Sequence, residues 1–189
     1  MDAQDGLVTA ADLRALGIDK RAIEGMLKRG ELVAVRRGLY RGRGARWDHR
    51  AELRSGLIQH GEQARLVLIS SLHWQGLLYR PAPVPEVGIP GNGDVRELTG
   101  RVLYRTPYAR ADSLSHDGLA CAAPVDALPH LAGHVRGNYA TRRALRRAVR
   151  EAVRRDATVA ARLAAVAAGD SRARSSSATH WRPCAAPWS

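Results

Sequence analysis

The chain of 189 residues has room for one full domain and a smaller one. Apolar residues make up 45% and charged residues 25%, no apolar run approaches the ~18 residues needed to span a bilayer, and Met1-Asp2-Ala3-Gln4-Asp5 lacks the basic and apolar segments of a secretory signal, so a cytoplasmic protein with no membrane role is expected. Lys+Arg 30 against Asp+Glu 18 leaves +12, which favours polyanionic partners, nucleic acid first and an anionic membrane or an acidic protein second.

In chain order, the charge changes sign within one small region. Residues 1–19 hold Asp2, Asp5, Asp12 and Asp19 against Arg14, a net of −3. Residues 20–43 hold Lys20, Arg21, Lys28, Arg29, Arg36, Arg37, Arg41 and Arg43 against Glu24 and Glu31, a net of +6. One face is thereby turned to an anion and one away. Thr9 followed by Asp12 is a capping-box-like start for a helix over residues 10–16, with Ala10, Leu13 and Leu16 on one face and Gly17 as its stop. Asp19 caps a second helix through about Arg29, in which Ile23, Met26 and Leu27 form the buried stripe. Leu32, Val33 and Val35, the Arg36-Arg37-Gly38 turn and the returning Leu39-Tyr40-Arg41 then read as a β-hairpin with a basic tip.

A Gly- and Arg-rich stretch over residues 42–50 reads as a linker, placing a domain boundary at residue 45. Beyond it, residues 48–60 are helical in pattern. Residues 64–69 are a short apolar run, and Ser70 or Ser71 is placed to cap a helix through Leu78. Pro81, Pro83, Pro85 and Pro90 then break the chain. Glu86–Ile89 and Arg101–Thr106 read as strands joined by the Gly91-Asn92-Gly93-Asp94 loop. Asp117-Gly118 turns before Leu119–Ala122, and Pro124 begins a helix through about Leu131. Residues 140–155 are the clearest helix, with an apolar stripe of Leu145, Ala148, Val149, Ala152 and Val153. Thr158 is placed to cap a last alanine-rich helix ending near Gly169. Residues 170–189 read as a disordered tail whose texture differs from what precedes it, as a truncation or frame change near residue 170 would leave.

Two short helices around a glycine turn, the second basic, form the arrangement that seats a helix in the major groove. Lys20, Arg21 and Glu24, near the start of the second helix, are the candidates for base edges. Lys28 and Arg29 suit phosphate, and Arg36, Arg37 and Arg41 on the hairpin suit phosphate or the minor groove. Arg142, Arg143, Arg146, Arg147, Arg150 and Arg154, on the helix over 140–155, are candidates for a second DNA contact or a protein partner. Read blandly they are a solvated face, partly paired with Glu151 through Arg147, Arg150 and Arg155.

These residues carry a family resemblance. Gly6-Leu7-Val8-Thr9-Ala10-Ala11-Asp12-Leu13, Leu16-Gly17-Ile18, Leu27-Lys28-Arg29-Gly30-Glu31-Leu32 and Val35-Arg36-Arg37-Gly38-Leu39-Tyr40 resemble the N-terminal domain of AbiEi-family antitoxins of type IV toxin–antitoxin systems. The likeness continues more loosely through Ser70-Ser71-Leu72-His73-Trp74-Gln75-Gly76-Leu77 and through Asp117-Gly118-Leu119 to Pro124-Val125-Asp126-Ala127-Leu128, covering about 165 residues unevenly. It implies an α+β protein: an N-terminal winged helix-turn-helix over residues 1–45, then a small mixed α/β antitoxin-type domain over 46–169 ending in helices. It further implies a repressor of its own operon, bound to double-stranded DNA at its own operator, that opposes a nucleotidyltransferase toxin without needing a stable complex with it. Longer relatives append an endonuclease-like domain. Here residues 170–189 contain one acidic residue, Asp170, so the carboxylate cluster of a metal-dependent nuclease is not carried over and no enzyme is expected.

Other constellations are bland. Cys121 and Cys184 give neither a disulfide framework nor metal-ligand spacing. His130 and His134 have i, i+4 spacing without a completing carboxylate. Ser71 near His73 lacks a nucleophile elbow, and no Walker lysine follows the Gly91-Asn92-Gly93 loop. No cofactor and no metal are expected. Trp47, Trp74 and Tyr40 read as packing residues.

Overall fold

A computed structural model describes residues 5–92, 95–106, 114–134 and 139–168. The chain divides into two compact units, Met1–Gln59 and His60–Ser189. The boundary expected at residue 45 thus lies earlier than this division, which leaves the helix over 49–58 with the first unit.

In the first unit Leu7–Thr9 forms a short strand, β1, that the sequence reading did not anticipate. Thr9 ends it and caps α1 (Ala10–Ala15): its hydroxyl accepts from the Asp12 amide at 3.0 Å, and the Asp12 carboxylate accepts from the Thr9 amide at 2.9 Å. Those bonds from Thr9, backbone first, hold the Asp12 carboxyl below its usual pKa. The helix stops at Ala15, one residue earlier than expected. Leu16 therefore leaves the helical period and is 75% exposed instead of joining Leu13 inside. Gly17, at φ +79, takes the left-handed turn that a side-chain-bearing residue resists. Asp19 caps α2 (Lys20–Lys28) by accepting from the Ala22 amide at 2.7 Å. β2 (Leu32–Arg36) and β3 (Leu39–Gly42) make the expected hairpin, and β3 lies centrally in the antiparallel order β1-β3-β2. Val8, Leu13, Ile23 and Leu32 form the core on one side of the sheet, with Ile18, Met26, Leu27 and Tyr40 packed against it. Asp48 caps α3 (His49–Ile58), accepting from the Ala51 amide at 3.0 Å.

The second unit is built on a six-stranded sheet. Its strands are β4 (Arg65–Leu66), β5 (Glu86–Pro90), β6 (Arg96–Leu98), β7 (Arg101–Thr106), β8 (Leu114–His116) and β9 (Leu119–Cys121), in the order β6-β7-β5-β4-β9-β8. β5 and β7 were expected to be joined directly by the 91–94 loop. They instead run parallel, and β6 lies between them in the chain, turning back on β7 through Thr99-Gly100. Parallel neighbours need an intervening crossing, which β6 and its flanks supply. α4 (Leu68–Trp74) follows β4 at once.

Neither Ser70 nor Ser71 is its N-cap, contrary to expectation, because the helix starts at Leu68 and both serines lie within it. Its first amides meet a carboxylate from the sheet: Glu86 accepts from Ser70 at 3.0 Å and also from Ile69, and Ser70 Oγ accepts from the Glu86 amide at 2.9 Å. α4 ends at Trp74, short of the expected Leu78, and Arg155 donates to the carbonyls of Gln75 (2.7 Å) and Gly76 (3.4 Å) beyond that end. The helices α5 (Pro124–His134), α6 (Tyr139–Arg155) and α7 (Thr158–Ala167) close the core through Ala127, Leu128, Leu131, Ala148, Ala152 and Val159. Thr158, expected to cap α7, is instead its first residue; Ala157 is the N-cap, and the Asp156 carboxylate before it accepts from the Thr158 amide (2.9 Å) and hydroxyl (2.7 Å). The disordered tail expected from residue 170 lies outside the described residues.

Candidate nucleic-acid interface

α2 buries Ile23 and turns Lys20, Arg21, Glu24 and Lys28 outward. Lys20 Nζ lies 3.9 Å from Glu24 Oε1, an exposed pair of the kind that contributes little to stability. Among the described residues Arg21 and Lys28 make no ion pair, so both guanidinium and ammonium face water. Arg29 is engaged: its Nη2 donates to Glu31 Oε2 at 3.1 Å and its Nε to Oε1, which raises its pKa and lowers that of Glu31.

The hairpin residues divide in the same way. Arg37 is exposed at the tip. Arg36 is half-buried, with Nε 3.4 Å from Ser55 Oγ on α3; burial draws its pKa down, against the opposing charge of Glu52. Arg41 Nη1 donates to the Ala45 carbonyl at 3.0 Å. Of the eight residues assigned to DNA, the structure thus presents Lys20, Arg21, Glu24, Lys28 and Arg37 to solvent and engages Arg29, Arg36 and Arg41 in contacts within the unit. Sequence reasoning missed Asp5, which accepts from Arg50 Nε and Arg54 Nε, each at 2.8 Å. Burial alone would raise its carboxyl, but the bonds from Arg50 and Arg54 outweigh that and lower it.

On α6, Arg142, Arg143, Arg146 and Arg150 are exposed and, with Leu145 and Val149, line an open recess of about 690 Å³. Arg147 lies over the Tyr79 ring, 3.1 Å from its centroid. Glu151 pairs with Arg155 (2.8 Å), as its i, i+4 spacing suggested, and with Arg154 (2.7 Å) in place of Arg147 or Arg150, and the two guanidiniums hold its carboxyl down to about 2. Arg154 is therefore neutralised locally.

The remaining candidates have packing roles. Ser71 Oγ is buried, donates to the Ala122 carbonyl at 2.8 Å and accepts from Gln75 Nε2 at 2.8 Å. Burial pushes the Cys121 thiol up to about 12, where it is no nucleophile. His130 meets the edge of Tyr104 at 6.1 Å; the side chain of His134 lies outside the described residues. Among the described residues no group of three His, Cys, Asp or Glu is placed to hold a metal. Trp74 Nε1 donates to the His116 carbonyl at 2.9 Å, whereas Trp47, expected to pack in the core or between domains, is 41% exposed and so not a core residue.

Two helices around a left-handed glycine, the second basic on its outer face, followed by a hairpin with a cationic tip, define a winged helix-turn-helix domain of the DNA-binding regulator class. Residues 2–41 match the family model of the AbiEi antitoxin transcriptional regulators, so the resemblance read from the sequence holds over this segment. That family is one of regulators rather than enzymes. The match does not extend to the looser likeness over residues 70–77 and 117–128. No curated protein matches the chain. Among the described residues no helix is long and apolar enough to cross a membrane.

Proposed function

We propose that the protein is a cytoplasmic antitoxin that represses its own operon and opposes a nucleotidyltransferase toxin, with neither cofactor nor metal. The observation that carries the DNA half is the outer face of α2, where Arg21 and Lys28 make no ion pair among the described residues while Ile23 anchors the opposite face. Lys20, Arg21 and Glu24 read base edges, Lys28 meets phosphate, and Arg37 reaches the flanking backbone or minor groove. Arg29 and Arg41 join them only by leaving Glu31 and the Ala45 carbonyl. The toxin half is supported by the AbiEi match over residues 2–41.

Fluorescence anisotropy with the DNA upstream of the gene and a shuffled duplex, across a salt series, tests the DNA half. With six to eight phosphates contacted, log affinity should fall with log salt at a slope of roughly −5 to −7, with preference for the native duplex at physiological salt. Equal binding to both duplexes sinks sequence-specific repression. Co-expression with the adjacent nucleotidyltransferase gene tests the toxin half: restored growth is expected, and undiminished toxicity leaves a regulator alone.

A second reading, a basic protein-interaction module, is favoured by α6, where Arg142, Arg143, Arg146 and Arg150 flank half-buried Leu145 and Val149. On either reading these arginines are the second anionic contact, with DNA or with an acidic protein face. Reversing Arg143 and Arg146 to Glu separates the readings. DNA affinity falls if the contact is nucleic acid and is unchanged if it is protein.

A further inference from the structure

We infer that α3 positions the wing, with Ser55 and Gln59 as positioning residues that act through Arg37; the inference rests on the DNA-binding reading above. α3 holds two separate points of the three-stranded sheet. At one, Asp5 lies two residues before β1 and receives Arg50 on one carboxylate oxygen and Arg54 on the other, both at 2.8 Å. Arg54 is 18%, Asp5 21% and Arg50 34% exposed. The chain makes its approach there through consecutive left-handed residues, Asp5 at φ +53 and Gly6 at φ +74. A Cβ at Gly6 would sit 2.5 Å from the Ala45 Cβ, so only glycine allows this close passage.

The other point is the wing itself. The β2–β3 register shifts between Ala34, opposite Tyr40, and Arg36, opposite Leu39, so that β2 carries one extra residue just before the tip. This irregularity accompanies an Arg36 side chain turned to α3, where its Nε stands 3.4 Å from Ser55 Oγ, while Arg37 stays exposed. Ser55 is itself held, donating to the Glu52 carbonyl at 2.7 Å. Gln59 Nε2 then donates to the Arg37 carbonyl at 3.4 Å, fixing the backbone from which the tip guanidinium projects. Arg36 is accordingly an anchor and Arg37 the contact. Both 3.4 Å bonds are at the long limit for hydrogen bonds, so they bias the tip without locking it.

The test uses the full chain carrying Ser55→Ala with Gln59→Ala. Without DNA, amide exchange at Arg37, Gly38 and Leu39 should quicken about tenfold while Leu13 and Ile23 stay unchanged. With the upstream duplex, Arg37→Ala in the otherwise native chain should lower affinity and reduce the salt slope by about one. In the Ser55→Ala/Gln59→Ala background the same change should have little further effect, whereas Arg21→Ala should keep its full effect. A merely structural loss would weaken both alike. Unchanged exchange at the tip, or an Arg37→Ala effect of equal size in both backgrounds, overturns the inference. If the native chain binds no duplex, the DNA-binding reading fails and the exchange experiment still decides whether α3 holds the wing. Gln59→Ala alone repeats every measurement should the double variant fold poorly.

Discussion

α2 and α6 are both basic amphipathic helices, but their charges are engaged differently. α2 is nine residues long, rests on one buried residue, Ile23, and leaves Arg21 and Lys28 open to solvent. α6 is seventeen residues long and is seated by Ala148 and Ala152 against α5 and α7. There Arg147 stacks on Tyr79, Arg154 and Arg155 hold Glu151, and Arg155 also binds the carbonyls after α4, so only part of the arginine face remains open. Charge density alone therefore does not identify a recognition helix. The shorter and less charged α2 is the one with a preceding helix, a glycine turn and a wing around it.

The comparison breaks most readily at the support of α2. Ile23→Ala should destabilise the first unit by roughly 3 to 4 kcal/mol, since a small core has few neighbours to fill the space, and thermal unfolding would show an early transition. A loss below about 1 kcal/mol would mean that α2 is not anchored as described.

Charge buried in the second unit gives the next effect. Glu86 is enclosed with no ion pair among the described residues, and burial, against the Ser70 and Ile69 amides, pushes its carboxyl up to about 7 from 4.5. The folded chain then keeps a proton that the unfolded chain releases. The contribution of Glu86 to stability is full below pH 4.5 and falls as pH rises toward 7, by about 3 kcal/mol in all. Glu86→Gln should flatten this profile in urea titrations between those pH values. An unchanged slope would assign it elsewhere.

Smaller effects sharpen the contrast. Arg21→Ala should leave stability unchanged and cost about 1 to 3 kcal/mol of discrimination between native and altered duplexes. Thr9→Ala removes the capping box of α1 and should cost about 1 kcal/mol in thermal stability. Arg143→Ala or Arg146→Ala on α6 should shift stability by less than about 0.5 kcal/mol, a larger loss revealing a packing role for that face.

What was legible in the sequence is local. Thr9 with Asp12 and Asp19 with Ala22 are bonds across three residues, so the start of each helix could be read before any tertiary contact was known. The Ile23, Met26 and Leu27 stripe, the hairpin turn at Gly38 and the apolar period of α6 belong to the same category, and they suffice for the winged-helix reading. Leu16 failed because a single residue at a helix end decides whether the period continues. The expected link from β5 to β7 by the 91–94 loop alone failed because the exposed Arg96–Leu98 segment becomes a strand only by pairing with β7.

The sequence by itself determined the short-range elements and the outward basic face of α2, because both follow from periodicity and from bonds within a turn. Only the tertiary structure decided which arginines remain available. Arg36 meets Ser55 across 19 positions, Asp5 meets Arg50 across 45, and Arg155 meets Gln75 across 80. Such pairings depend on where distant segments are packed, and a guanidinium carries the same charge in the sequence whether it faces solvent or a carbonyl.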